Sequence, residues 1–153
     1  MFHYNVGNNE KIYRLIRHGR TMPASIRIHL DHTQRTGMLY YSFRAFEHDD
    51  AIIINDYILV ENAFPLDSSQ YWEIKRAFFR YRFWQTPTFS TSLRHMRGRL
   101  VWVIEGADSS RYHAVSRLAH DFGNTAKLGQ FLFDYADNLL YEAGYGDKYI
   151  IFV

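Results

Sequence analysis

Three groups of side chains in this sequence have types and spacings that chemistry could use. His29-Leu30-Asp31-His32 offers two imidazoles and a carboxylate, donors that suit a divalent metal ion. On a strand, His29 and Asp31 share one face and His32 points to the other. The spacing matches no recognised ligand pattern. A solvated strand end is the simpler reading, so neither a metal nor a cofactor is expected. Glu73, Glu105 and Asp108 are the carboxylates from which an acid–base pair of the glycosidase or nuclease type would be drawn. Nothing in their spacing sets two of them within reach, so no catalytic residue is assigned. Neither a phosphate-cradling glycine loop nor a Gly-x-Ser-x-Gly elbow occurs.

The third group is the run Lys75-Arg76-Ala77-Phe78-Phe79-Arg80-Tyr81-Arg82-Phe83-Trp84. Arginine on phosphates with aromatic rings on bases is the physics of single-stranded nucleic-acid binding. The same residue types also make hot spots at protein interfaces. The expected partner-binding residues are Arg76, Arg80, Arg82 and Trp84, joined by Arg94 and Arg97 from the segment that follows. A hairpin is expected just after them, with Glu105 and Arg117 pairing across it to hold its ends.

Two stretches resemble known families. Leu15-Ile16-Arg17-His18-Gly19-Arg20-Thr21 resembles the Arg-His-Gly signature of the histidine phosphatases. The resemblance implies a phosphoryl-accepting His18 with Arg17 and Arg20 binding the phosphoryl group. No late Thr-His-Gly element follows, so phosphoryl transfer is the alternative reading. The segment from Phe83 to Leu140 carries Phe83-Trp84-Gln85-Thr86-Pro87, then Trp102-Val103-Ile104-Glu105-Gly106, then Tyr112-His113-Ala114-Val115-Ser116-Arg117. It resembles small uncharacterised bacterial proteins of the immunity or accessory type. That resemblance implies a non-enzymatic protein with a protein partner, such as a cognate toxin.

These residues need a scaffold, and composition bounds it. A chain of 153 residues, 47% hydrophobic and 22% charged, suits a single domain spanning 1–153 with a real core. Aromatic residues make up 18% of it, more than a core this size easily buries. The net charge of +2 is too small to argue for nucleic acid or a membrane surface. Its distribution says more: residues 1–99 hold 14 Lys/Arg against 9 Asp/Glu, and residues 100–153 hold 4 against 7. Only four of the 18 cations are lysine, which favours planar, stacked contacts. The absence of cysteine excludes disulfides, thiolate metal sites and cysteine nucleophiles. The N-terminal stretch has no secretory pattern and no apolar run is long enough to span a bilayer, so a cytoplasmic location and no membrane contact are expected.

Period-two patterns over Ile12–Arg17, Ile26–Asp31 and Met38–Phe46 predict three strands. Ala51–Glu61 predicts extended chain broken near Asn55-Asp56. Asp67 three residues before Gln70 has the spacing of a capping box and predicts a helix over about 68–83. Two aromatic stripes run along it: Tyr71, Ile74, Phe78 and Tyr81, then Trp72, Phe79 and Phe83. Arg99–Glu105 and Arg111–Arg117 predict the hairpin. A second helix over about 125–143 follows, capped by Asn124 or Thr125, with Leu128, Phe131, Leu132, Tyr135 and Leu139 as its core face. Lys148–Val153 predicts a last strand. The order β-β-β-β-α-β-β-α-β implies an α+β fold, with a mostly antiparallel sheet of about six to seven strands packed by two main helices. The sequence therefore predicts a protein-binding module. Phosphoryl transfer and nucleic-acid binding stand behind it, the latter disfavoured by the modest charge.

Overall fold

The computed structural model describes residues 6–18, 24–49, 52–53, 58–88, 101–118, 123–145 and 149–150. The fold is α+β. Strands β1 (Glu10–His18), β2 (Ala24–Asp31), β3 (Thr36–Asp49) and β5 (Ile58–Leu66) form an antiparallel meander. The short β4 (Ile52–Ile53) pairs with the far end of β3. Helix α1 (Ser68–Arg80) then crosses back over the sheet. The hairpin β6 (Val101–Ala107) and β7 (Tyr112–Leu118) follows, with β6 antiparallel to β1. Helix α2 (Asn124–Leu140) and the two-residue β8 (Tyr149–Ile150), which pairs with β3, complete the described elements. Among the described residues the main sheet has six strands in the order β5-β3-β2-β1-β6-β7. The extended chain expected over Ala51–Glu61, with a break near Asn55-Asp56, is two strands, β4 and β5, and β5 runs on to Leu66. Among the described residues β5 pairs only with β3. Pro65, which cannot donate to a ladder, fits such an edge position.

Both helices cover one face of the sheet. The alternation of β2 places Ala24, Ile26, Ile28 and Leu30 on that face, all buried. Tyr13 and Leu15 of β1, Leu39, Tyr41 and Phe43 of β3, and Trp102 and Ile104 of β6 join them in one cluster with Ile74, Phe78, Leu128 and Leu132 from the helices. Where α2 crosses β6 the contact is close. A Cβ built on Gly129 would lie 2.8 Å from the Trp102 ring. Glycine is therefore needed there for approach, whatever it costs the helix.

The helix ends follow local chemistry at one site and depart from expectation at three. Asp67 caps α1, and the box closes both ways: Gln70 N–H donates to Asp67 Oδ1, and Asp67 N–H to Gln70 Oε1, each 2.9 Å. The helix stops at Arg80 rather than Phe83. Arg82 turns left-handed at φ 51°, and Phe83–Gln85 forms a separate 3-10 turn. Helix α2 starts from Gly123, without a side-chain cap, where Asn124 or Thr125 was expected. It ends at Leu140, and Tyr141–Tyr145 makes a wider turn closed by Gly144 at φ 89°. The core face of α2 runs through Ala126, Leu128, Gly129, Leu132, Phe133, Ala136 and Leu140. Phe131, Tyr135 and Leu139 pack only partly against it. The expected face is therefore rotated: Leu128 and Leu132 hold their places, but Phe133, packed on Trp102, turns to the sheet in place of Phe131 and Tyr135.

Candidate partner-binding surface

The register of α1 is set at its cap and by its apolar contacts. Tyr71, Ile74, Ala77 and Phe78 turn into the core, and Phe78 stacks on Tyr13 at 3.7 Å between ring centres. Positions 73, 76, 79 and 80 therefore turn outward. Phe79 is 85% exposed. Arg76, three residues before it, and Arg80, next to it, are exposed as well. Along 68–82 four cations, Lys75, Arg76, Arg80 and Arg82, stand against one carboxylate, Glu73. Arg76 and Arg80 line a shallow depression of about 150 Å³ with Glu73, Ala77, Tyr81 and Phe131. Burial and a hydrogen bond to Glu73 push the Tyr135 phenol well above its ordinary value. Glu73 is thus engaged by α2. Among the described residues, no hydrogen bond or ion pair engages the side chains of Arg76, Arg80 or Arg82.

Arg82 is exposed beyond the end of the helix. Trp84 belongs to a separate cluster. Its ring lies 5.1 Å from Phe83 and is stacked with His113 at 6.1 Å. The Arg111 guanidinium sits over it at 3.8 Å, and the Lys11 ammonium at 5.7 Å. Burial, offset in part by Asp108, lowers the Lys11 pKa. Burial pushes the Asp108 carboxyl up, but hydrogen bonds from Ser110 and Arg111 outweigh it and hold the group at about 2. Burial also pushes the Tyr13 phenol beneath Trp84 up to about 12. Trp72 is similarly occupied, with Lys75 at 4.8 Å and Arg35 at 5.9 Å. Arg94 and Arg97 lie outside the described residues.

The expected Glu105–Arg117 pair is corrected by the register of the hairpin. Glu105 stands opposite Ala114, and Arg117 opposite Trp102. Glu105 instead takes the Arg14 guanidinium at 2.5 Å and the Tyr112 hydroxyl at 2.7 Å. Arg117 donates to the carbonyls of Pro87 and Thr88, and so ties the segment after α1 to β7.

The other candidate groups are dispersed. Asp31 accepts from the backbone of Thr33 and Gln34 and shapes the β2–β3 turn. His32 bonds the Tyr71 hydroxyl, and His29 meets Tyr40 edge-on. Arg17 is turned into the core at 8% exposure, its guanidinium over the Phe133 ring at 4.9 Å. It is therefore committed away from any phosphoryl group bound beyond β1. His18 ends β1, its side chain lies outside the described residues, and so do Gly19 and Arg20. Sequence reasoning missed the exposure of Phe79, although two aromatic stripes on one helix already exceeded what one core contact can bury.

In comparisons with known proteins, no family model and no curated protein matches the chain. Among the described residues, no helix is long and apolar enough to cross a membrane.

Proposed function

We propose that this chain is a non-enzymatic protein-binding module that contacts its partner through the outer face of α1. The observation that carries the reading is Phe79, 85% exposed between Arg76 and Arg80. Burying such a ring against a partner is worth about 1.5–3 kcal/mol. The neighbouring guanidiniums, without acidic partners of their own among the described residues, define the chemistry opposite them: an apolar cleft with an acidic rim. Trp72 and Trp84 already carry the protein's own cations over their rings. That leaves less aromatic surface for stacked bases and favours a protein partner over nucleic acid. The resemblance of Phe83 to Leu140 to immunity-type proteins supports the finer reading, that the partner is a cognate toxin whose working surface the module occludes.

The test uses Phe79→Ser and Arg80→Glu. Both side chains lie outside the core, so both variants should melt with the wild type. Affinity capture from the native host should recover one stoichiometric protein with the wild type. Each variant should bind that protein about 30-fold more weakly. Equal binding by the variants would overturn this surface, and failure to recover any stoichiometric protein would overturn the module itself. For the toxin, expression of the adjacent reading frame should arrest growth, with rescue by the wild type and not by Phe79→Ser.

A further inference from the structure

The sheet face that carries no helix among the described residues holds a second candidate site. Two neighbouring cross-strand rows build it. One runs Glu105, Arg14, Arg27, Tyr40, Ala63 across β6, β1, β2, β3 and β5, and the next contains Ser25, Ser42 and Glu61. The floor residues, Ser25, Ser42 and Ala63, are small. The walls, Arg14, Arg27, Tyr40 and Glu61, are long. The result is a cavity of about 460 Å³, inside the size range of small-molecule sites.

Its charges are arranged unevenly. Arg14 and Arg27 stand directly opposite each other on adjacent strands, a like-charge pair that is unfavourable on an antiparallel sheet. Glu105 offsets Arg14. Arg27 is held over the Tyr40 ring at 4.4 Å and has no carboxylate among the described residues. Glu61, two strands away on β5, makes no ion pair among them either, although Arg44 stands diagonally across from it on β3. Two strand spacings and the two-residue offset between their rows put their backbones about 12 Å apart, and Ser25, Ser42 and Tyr40 line the cavity with them.

We propose that this cavity binds a small zwitterion whose carboxylate and ammonium are separated by several bonds. The carboxylate lies on Arg27, where the planar guanidinium can hold both oxygens. The ammonium lies on Glu61, and the connecting chain crosses the serine floor. Neither group alone satisfies both walls, and an α-amino acid with no side-chain charge is too short to reach them. The site is on the face opposite α1 and does not depend on the protein-binding reading.

The experiment is a backbone and arginine Nε–H NMR titration of the full chain. The probes are ε-aminocaproate, glycine, caproate and hexylamine. ε-Aminocaproate should shift resonances of Ser25, Arg27, Ser42 and Glu61, and bind at least about tenfold more tightly than the other three. Arg27→Gln and Glu61→Gln, both at exposed positions, should each reduce it to the affinity of the single-charge probe. Phe79→Ser should leave it unchanged. Equal affinity for caproate and ε-aminocaproate would overturn the zwitterion, as would a preference that survives Arg27→Gln or Glu61→Gln. No shift in the cavity with any probe would overturn the site.

Discussion

On the helix-covered face of the sheet, Arg17 is 8% exposed and lies over Phe133. On the open face, Arg27 is exposed and lies over Tyr40. The two arginines sit on adjacent central strands and make the same kind of ring contact. Their surroundings differ. Arg17 lies in the closed layer with Tyr41, and Asp137 acts on them from an exposed position of α2: partial burial pushes the Asp137 carboxyl up, while the Tyr41 hydroxyl, donating at 2.8 Å, and the field of Arg17 pull it back. Arg27 looks into a cavity. A buried arginine must be satisfied by the protein itself, whereas an exposed one is left for a ligand. Cation–aromatic pairing alone therefore does not mark a binding site. What marks one is that, among the described residues, nothing closes over the pair.

The largest expected effect tests whether stability resides on the covered face. Ile26→Ala, at a fully buried position of β2, should cost about 2–5 kcal/mol. Leu59→Ala, on the open face at 62% exposure, should stay within about 0.5 kcal/mol. Chemical denaturation of both variants measures this. A comparable loss at Leu59 would mean that the open face is closed in solution.

The second test is made on the arginines themselves. Arg17→Ala should destabilise by about 2 kcal/mol through lost packing and a poorer environment for a partly buried carboxylate. It should also raise the Asp137 pKa further, read by carboxyl-carbon NMR. Arg27→Ala should change stability by less than about 0.5 kcal/mol. If the two variants lost equal stability, Arg27 would be structural and the case for the cavity would fall with it.

The elements on both faces were legible in the sequence to different depths. The start of α1 is written in two residues, Asp67 and Gln70, three apart. The period-two strands announce themselves in the same local way. The end of α1 does not, because it depends on Arg82 adopting a left-handed backbone that non-glycine residues seldom adopt. Phe78 and Phe79 fall on different stripes of α1, and the packing of Tyr71, Ile74 and Phe78 on the sheet decides which stripe is buried. The Glu105–Arg117 pairing failed because register across a hairpin depends on where the turn closes. Asp108, accepting from Ser110 and Arg111, closes it so that Glu105 meets Ala114. The open-face cavity was illegible for a stronger reason. Ser25, Ser42 and Glu61 become neighbours only when three strands have paired in register.

The smallest expected effect concerns pH and sharpens the contrast between the faces. His29 lies on the open face beside Tyr40. Burial first, then the charge of Arg27, lowers its pKa from 6.5, while Glu10 opposes the shift. His32 is lowered too, by burial and then by Lys11 and Lys75. The unfolded chain therefore binds protons that the native chain resists, and stability must fall as pH falls below about 6.5. Above that value neither group contributes. Asp137, whose pKa is raised, acts in the opposite direction, so net melting curves mix the two faces. The His29→Gln variant separates them. Melting temperatures compared at about pH 7.5 and about pH 5.5 should fall by a few degrees in the wild type and by less in the variant. An unchanged fall would show that His29 is solvated and the open face wet throughout. A reduced fall would place a dry strip beside the Arg27–Tyr40 pair, and a dry wall strengthens whatever charge that arginine receives.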